Sequence, residues 1–294
     1  MKKPIFTGSC TAMVTPYNEN GIDYSSMSHF IDFQAENKTD AILISGTTGE
    51  NATQSFEEHC KLLEYAAEYN QGRMKLIAGI GSNHTETALA YAKEAESYGY
   101  DGLLMVTPYY NKTTQSGLIA HFTYVADRVS TPLILYNVPS RTGIGITADT
   151  YKVLSQHPNI NGTKEASGDF TLFSKTRFLC ESDLNIWSGN DDNTVSMMAM
   201  GAKGVISVAS NIIPAEVSQL CKACFAGDFL NAERIHMKYA GLFSVLFVET
   251  NPIPVKTALN LMGMNAGIFR LPLVEMQPNN LRALKSILSS LGLI

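Results

Sequence analysis

Residues 76–107 read LIAGIGSNHTETALAYAKEAESYGYDGLLMVT. Two short apolar runs, Leu76–Gly81 and Gly102–Thr107, flank a segment of different period. In that segment, Thr85–Tyr98, the residues Ala88, Ala92 and Ala95 recur on one helical face, and Gly99 supplies the stop. The flanking runs do not alternate apolar with polar. Near-continuous apolar strands are buried on both faces, which is the pattern of a parallel sheet covered by helices. The stretch therefore predicts a strand-helix-strand unit.

The same unit repeats outward in both directions. Upstream, strands are expected at Ser9–Pro16 and Ala41–Ser45, with a helix at Tyr24–Glu36. Downstream, strands are expected at Leu133–Val138, Ile160–Glu165, Asn185–Ser188 and Gly204–Ala209, with a helix at Gly117–Arg128. Strands alternating with helices in this number predict the α/β class and a (β/α)8 TIM barrel. A doubly wound open sheet is the alternative, but it calls for a glycine-rich phosphate turn after the first strand, and here that strand runs into Thr15-Pro16. After Ala209 only helical patterns follow, at Pro214–Phe225, Phe229–Glu249, Pro252–Met262 and Asn279–Leu291. The breaks near Gly227, Asn251-Pro252 and Gly263 divide the chain into a catalytic barrel, 1–227, and a small C-terminal helical extension, 228–294.

Composition narrows the function classes. The chain has 294 residues, 22 Lys and Arg against 27 Asp and Glu, and a formal charge of -5. Its longest basic run is Lys2-Lys3, so nucleic acid is not an expected partner. No apolar run approaches the length of a bilayer span, and the basic N-terminus leads into no signal-like apolar stretch. Five scattered cysteines suit a reducing compartment. A cytoplasmic protein with no membrane association is expected.

Barrel enzymes carry their chemistry at the carboxyl ends of the strands, and the polar residues collect there. Lys164 lies inside an apolar strand, in Gly162-Thr163-Lys164-Glu165. Burial disfavours the ammonium form of a lysine, and a neutral amine attacks carbonyls. The competing reading is a lysine paired with Glu165 or reaching to the rim. Tyr136 ends the preceding strand and is either a proton donor and acceptor or a core aromatic. Gly46-Thr47-Thr48-Gly49-Glu50 is a strand-to-helix turn. Its backbone N–H groups suit a carboxylate, or Thr47 or Thr48 merely caps the helix that follows. Arg141 is a carboxylate fork or a solvated loop charge. Other constellations fail. Cys221 and Cys224 have no second pair and read as small buried hydrophobes. Asp191-Asp192 lacks a third carboxylate and reads as a cap. Ser188 and Ser207 have no activating histidine.

Gly46-Thr47-Thr48-Gly49-Glu50, Tyr136-Asn137-Val138-Pro139-x-Arg141-Thr142-Gly143 and Gly162-Thr163-Lys164 together resemble the signatures of the dihydrodipicolinate synthases, pyruvate-dependent class I aldolases. The resemblance extends to Asn251-Pro252-x-Pro254-x-Lys256 in the helical tail. It implies that Lys164 forms a Schiff base with pyruvate and that the resulting enamine attacks aspartate semialdehyde to give 4-hydroxy-tetrahydrodipicolinate. This is the first committed step of diaminopimelate and lysine biosynthesis. It implies no cofactor and no metal. Tyr136, Thr48 and Tyr110 match a hydroxyl relay, with Tyr110 reaching a neighbour's site across a tight dimer, two of which make a homotetramer. Thr47 and Thr48 match the pyruvate carboxylate site. Gly189 and Ile206 match pocket positions, the latter through its carbonyl.

Arg141 separates this chain from the N-acetylneuraminate lyases, which share the lysine and tyrosine. Those lyases and the keto-deoxy sugar acid aldolases remain the enzymatic alternative, and a catalytically silent keto-acid-binding barrel the non-enzymatic one. Lysine-sensitive synthases are expected to carry a histidine where this chain has Phe56 and a glutamate where it has Thr87, so feedback by lysine is expected to be absent.

Overall fold

The structure, a computed structural model, describes residues 2–294. Its ten strands are β1 Gly8–Ala12, β2 Tyr17–Asn18, β3 Gly21–Ile22, β4 Ala41–Ile44, β5 Lys75–Gly79, β6 Gly102–Val106, β7 Leu133–Asn137, β8 Ile160–Glu165, β9 Asn185–Ser188 and β10 Gly204–Ser207. Eight of them close into a parallel barrel in the order β1-β10-β9-β8-β7-β6-β5-β4, with β4 returning to β1. The fold is a TIM barrel. The short antiparallel β2–β3 hairpin lies outside it and has no counterpart in the sequence reading.

Strand alternation sorts the apolar residues into two layers. Cys10, Leu43, Ile77, Leu104, Ile134 and Trp187 belong to an inner cluster that fills the barrel. Their neighbours Ile42, Ala78, Leu103, Leu135, Ile186 and Val205 belong to an outer cluster under the helices. Phe6 stacks on Trp187 within the inner cluster, with ring centroids 4.9 Å apart.

The barrel helices are α1 Tyr24–Glu36, α2 Phe56–Asn70, α3 Thr85–Ser97, α4 Gln115–Ala126, the one-turn α5 Pro139–Thr142, α6 Ala148–Ser155, α7 Phe170–Cys180, α8 Thr194–Ala199 and α9 Pro214–Phe225. Their starts follow from side-chain caps. Asp23, Thr114, Thr147 and Asp169 each accept a backbone N–H, and Ser55 forms a reciprocal capping box with Glu58. The chain ends in α10 Phe229–Val245, α11 Ile253–Leu261 and α12 Pro278–Ser290. The outer cluster runs without a break from the barrel helices into Leu242, Val255, Leu284 and Leu288 of this extension.

The first strand is shorter than the expected Ser9–Pro16. Met13 and Val14 stay fully buried, but their N–H groups go to the Leu43 carbonyl (3.0 Å) and the Asn211 side chain (3.1 Å). Apolar composition thus outlasts the ladder, because the strand ends point into the covered mouth. Among the described residues no helix is long and apolar enough to cross a membrane.

Candidate active site

The mouth of the barrel opens into a cavity of about 550 Å³. Lys164, Tyr136, Thr47, Thr48, Arg141 and Gly189 all line it. Lys164 is the penultimate residue of β8 and Tyr136 that of β7, and the parallel register sets them side by side. That alignment depends on an irregularity lower down, where Leu133 pairs with Ile160 but Ile134 pairs with Gly162. The extra residue, Asn161, shifts the phase so that Lys164 shares the inner face with Tyr136. Lys164 is 5% exposed, and its Nζ lies 4.4 Å from the centre of the Tyr136 ring.

The expected competitor for this lysine, Glu165, is engaged elsewhere. Strand alternation turns it to the outer face, where it accepts from both the Asn137 amide (3.0 and 3.1 Å) and the Tyr151 hydroxyl (2.9 Å). The Ser167 N–H adds a further bond at 2.8 Å. Asn137 pairs in register with Glu165 as Tyr136 does with Lys164. One clamp on the outer face therefore fixes Tyr136 and Lys164 on the inner face. Asn137, Tyr151 and Glu165 carry no chemistry in the sequence reading. The signal lay in their adjacency to Tyr136 and Lys164 with opposite strand parity.

Thr47 and Thr48 follow β4, which stands four places from β8 in the closed ring of eight. They face Lys164 across the mouth. Neither caps a helix, which corrects that expectation. The chain after the turn passes through a 3-10 segment, Asn51–Thr53, and α2 takes its cap from Ser55. The turn is instead self-contained, with Gly49 N–H bonded to Gly46 O at 3.0 Å and Glu50 N–H to Thr47 O at 3.1 Å. Thr15 Oγ1 donates to Gly49 O at 2.8 Å, and Asn251 Nδ2 donates to Thr48 Oγ1 at 2.9 Å.

Arg141 sits in α5, which Pro139 starts and Gly143 ends with φ 69°. Its Nη2 donates to the Asn251 carbonyl at 3.1 Å. Asn251 thus touches both the threonine turn and the arginine. It closes the cavity together with Phe247, Val248, Glu249 and Thr250 of the C-terminal extension. Residue-by-residue reading of the rim missed this wall; the break at Asn251-Pro252 was its trace in the sequence.

Gly189 follows β9. A Cβ there would lie 2.6 Å from the Ala166 Cβ and 3.1 Å from the Lys164 Cε, so only glycine leaves the lysine its room. Ile206 is fully buried in the inner cluster and does not line the cavity. Tyr110 is 92% exposed with φ 65° and is absent from its own chain's cavity. Asp191 caps as expected, though not its own segment: its side chain accepts the Ala209 N–H that opens the 3-10 segment Ala209–Asn211. It spans to the loop after β10, accepting from Ser207 Oγ at 2.5 Å and from Val208 and Ala209 N–H at 3.1 and 3.0 Å. Burial pushes its carboxyl above the ordinary range, and those donors together with the charge of Lys164 oppose the shift. Ser207 is thereby committed to Asp191. Cys221 and Cys224 are buried and free.

This arrangement gathers an amine, hydroxyls, a backbone turn and a guanidinium around one small volume. The comparisons with known proteins give the family. The 4-hydroxy-tetrahydrodipicolinate synthase of Persephonella marina is 48% identical over 292 residues, spanning 99% of this chain and 100% of the relative. The crystal structure of dihydrodipicolinate synthase from Aquifex aeolicus matches with a TM-score of 0.96 at 47% identity, covering 98% of this chain and 99% of that one. The chloride-inhibited dihydrodipicolinate synthase from Acinetobacter baumannii, complexed with pyruvate, matches with a TM-score of 0.96 at 39% identity, covering 98% and 100%. The profile of the dihydrodipicolinate synthetase family extends over residues 5–291. Over nearly its whole length, then, the chain belongs to the dihydrodipicolinate synthetase family.

Proposed function

We propose that this chain condenses pyruvate with aspartate semialdehyde to give 4-hydroxy-tetrahydrodipicolinate, opening the diaminopimelate route to lysine. The observation that carries the reading is Lys164: 95% shielded, beside the Tyr136 ring, and lining the same cavity as Thr47, Thr48 and Arg141. The pyruvate found with the Acinetobacter baumannii relative supports it.

The Lys164 amine adds to the ketone carbon of pyruvate, and loss of water leaves an iminium. The cation draws electrons from the methyl group, whose proton departs to give an enamine. No external electron sink is called for. The enamine carbon attacks the aldehyde carbon, and the aldehyde oxygen takes up a proton to become the hydroxyl. The semialdehyde's own amine then attacks the iminium carbon and displaces Lys164 as the ring closes. Tyr136 and Thr48, with Tyr110 from a partner subunit, pass the protons. Tyrosine is a weak free base at neutral pH, so sharing along hydroxyls matters. The turn at Thr47 and Thr48 holds the pyruvate carboxylate, and Arg141 holds that of the semialdehyde. Gly189 gives the lysine clearance. The working unit is a tight dimer, two of which form a homotetramer. The catalytic unit is 1–227, with 228–294 as its helical extension.

Borohydride added with pyruvate should reduce the imine and leave a stable adduct on the Lys164 peptide. Lys164→Ala should leave none. An adduct on any other lysine, or an absent one, removes the mechanism. Turnover of N-acetylneuraminate in place of the semialdehyde would transfer the chain to the sugar-acid lyases.

A further inference from the structure

Lys256, in α11, and Glu50, at the end of the threonine turn, form an ion pair of 2.6 Å with both side chains fully buried. The Lys256 Nζ also donates to the Ile268 carbonyl at 2.6 Å and lies 5.0 and 5.2 Å from the Tyr17 and Phe269 ring centres. Burial draws the Lys256 ammonium down from its ordinary range, and Glu50 opposes that. A pair taken so far from water contributes little net stability, because desolvation offsets the attraction. Its position says more. Glu50 holds a left-handed backbone, φ 55°, and its N–H closes the turn onto Thr47. The stretch that carries Lys256 also carries Asn251, which bonds Thr48. Residues 251–256 therefore grip the turn at both Thr48 and Glu50, from an element far away in sequence.

We infer that Lys256 is a positioning residue for the keto-acid carboxylate, acting through Glu50 on the Thr47–Thr48 turn. This rests on the reading of Lys164 and that turn as the pyruvate site. Donors aimed at a carboxylate work only if they are held in place before it arrives. Freeing the turn weakens capture of pyruvate and leaves the lysine's own chemistry intact once the site is saturated.

The test uses the full-length protein as Lys256→Met and as Lys256→Met with Glu50→Gln. The readouts are the half-saturation of borohydride trapping by pyruvate, the KM of both substrates, and the thermal midpoint. In both variants the pyruvate half-saturation should rise roughly ten-fold or more, since small misplacements of binding groups cost this much. The KM for the semialdehyde should stay within about three-fold, because its guanidinium contact is not addressed. The double variant, having no stranded charge, should regain much of the lost midpoint without regaining pyruvate affinity. It also carries the test if the single variant does not fold. An unchanged half-saturation, or a defect that disappears together with the stability loss, overturns the inference and leaves the pair purely structural. A wild type that forms no pyruvate adduct overturns this inference and the function it rests on. A wild-type adduct with unchanged variants overturns the inference alone.

Discussion

At the residue scale, the proposed substrate choice turns on Arg141. One of its nitrogens is spent on the Asn251 carbonyl, and the short α5 turn fixes its backbone between Pro139 and Gly143. Arg141 itself lines the cavity. A charge-assisted fork to a carboxylate contributes about 2–3 kcal/mol. Arg141→Ala should therefore lower kcat/KM for aspartate semialdehyde by roughly 30- to 150-fold. The KM for pyruvate should move only a few-fold. Steady-state kinetics on both substrates decide it, and equal movement of the two would make Arg141 structural. The residue types at this site were legible from the sequence because lysine, tyrosine and arginine are conspicuous at strand ends. The clamp behind them was not. Glu165 next to Lys164 reads as an ion-pair partner until parity sends it to Asn137 and Tyr151.

At the scale of elements, α2 and α3 carry the expectation that lysine does not inhibit. Phe56, opening α2, stacks on Tyr91 with centroids 5.1 Å apart. Thr87 Oγ1 is paired with His84 Nδ1 at 2.8 Å, and the adjacent Glu86 accepts from the Tyr124 hydroxyl at 2.6 Å. Glu86 is thus already engaged, and no carboxylate stands at position 87 for an incoming ammonium. An unpaired cation taken from water costs several kcal/mol. Initial rates should be unaffected by lysine below millimolar concentrations. Clear inhibition in that range would show that Glu86 turns to serve the ligand.

The elements themselves were largely readable. Tyr24–Glu36, Ile160–Glu165, Asn185–Ser188 and Pro214–Phe225 form with the expected bounds, because burial and period agree there. Disagreement arises where burial persists after the ladder ends, as at Met13 and Val14. It arises again where a turn is stabilised by distant residues, as at Thr48, because sequence proximity says nothing about Asn251.

For the whole molecule, Tyr110 is the telling residue. A tyrosine 92% exposed on a left-handed backbone serves nothing in its own subunit's cavity. Mixing inactive Tyr110→Phe with inactive Lys164→Ala subunits should restore partial activity through hybrid sites. Failure to complement, with subunit exchange demonstrated, would place the relay within one chain. Acid should weaken the fold as a whole. Burial lowers both His59 and His121 to about 4 from 6.5. Between those values the unfolded chain binds more protons than the folded one, so stability rises with pH. The contribution is complete above the unfolded value and is lost as pH falls toward 4, on the order of 3 kcal/mol for each ring. Thermal midpoints measured across this window should fall with acidification, and His59→Phe with His121→Phe should flatten the slope.

Trp187 is the sole tryptophan of the chain, fully buried, stacked on Phe6, and paired in register with Lys164. The protein therefore carries a built-in optical reporter one strand away from Lys164. Indole emission needs no engineered label and comes from a single place. A change on adding pyruvate reads events beside the lysine, and a red shift in denaturant reads water entering the barrel.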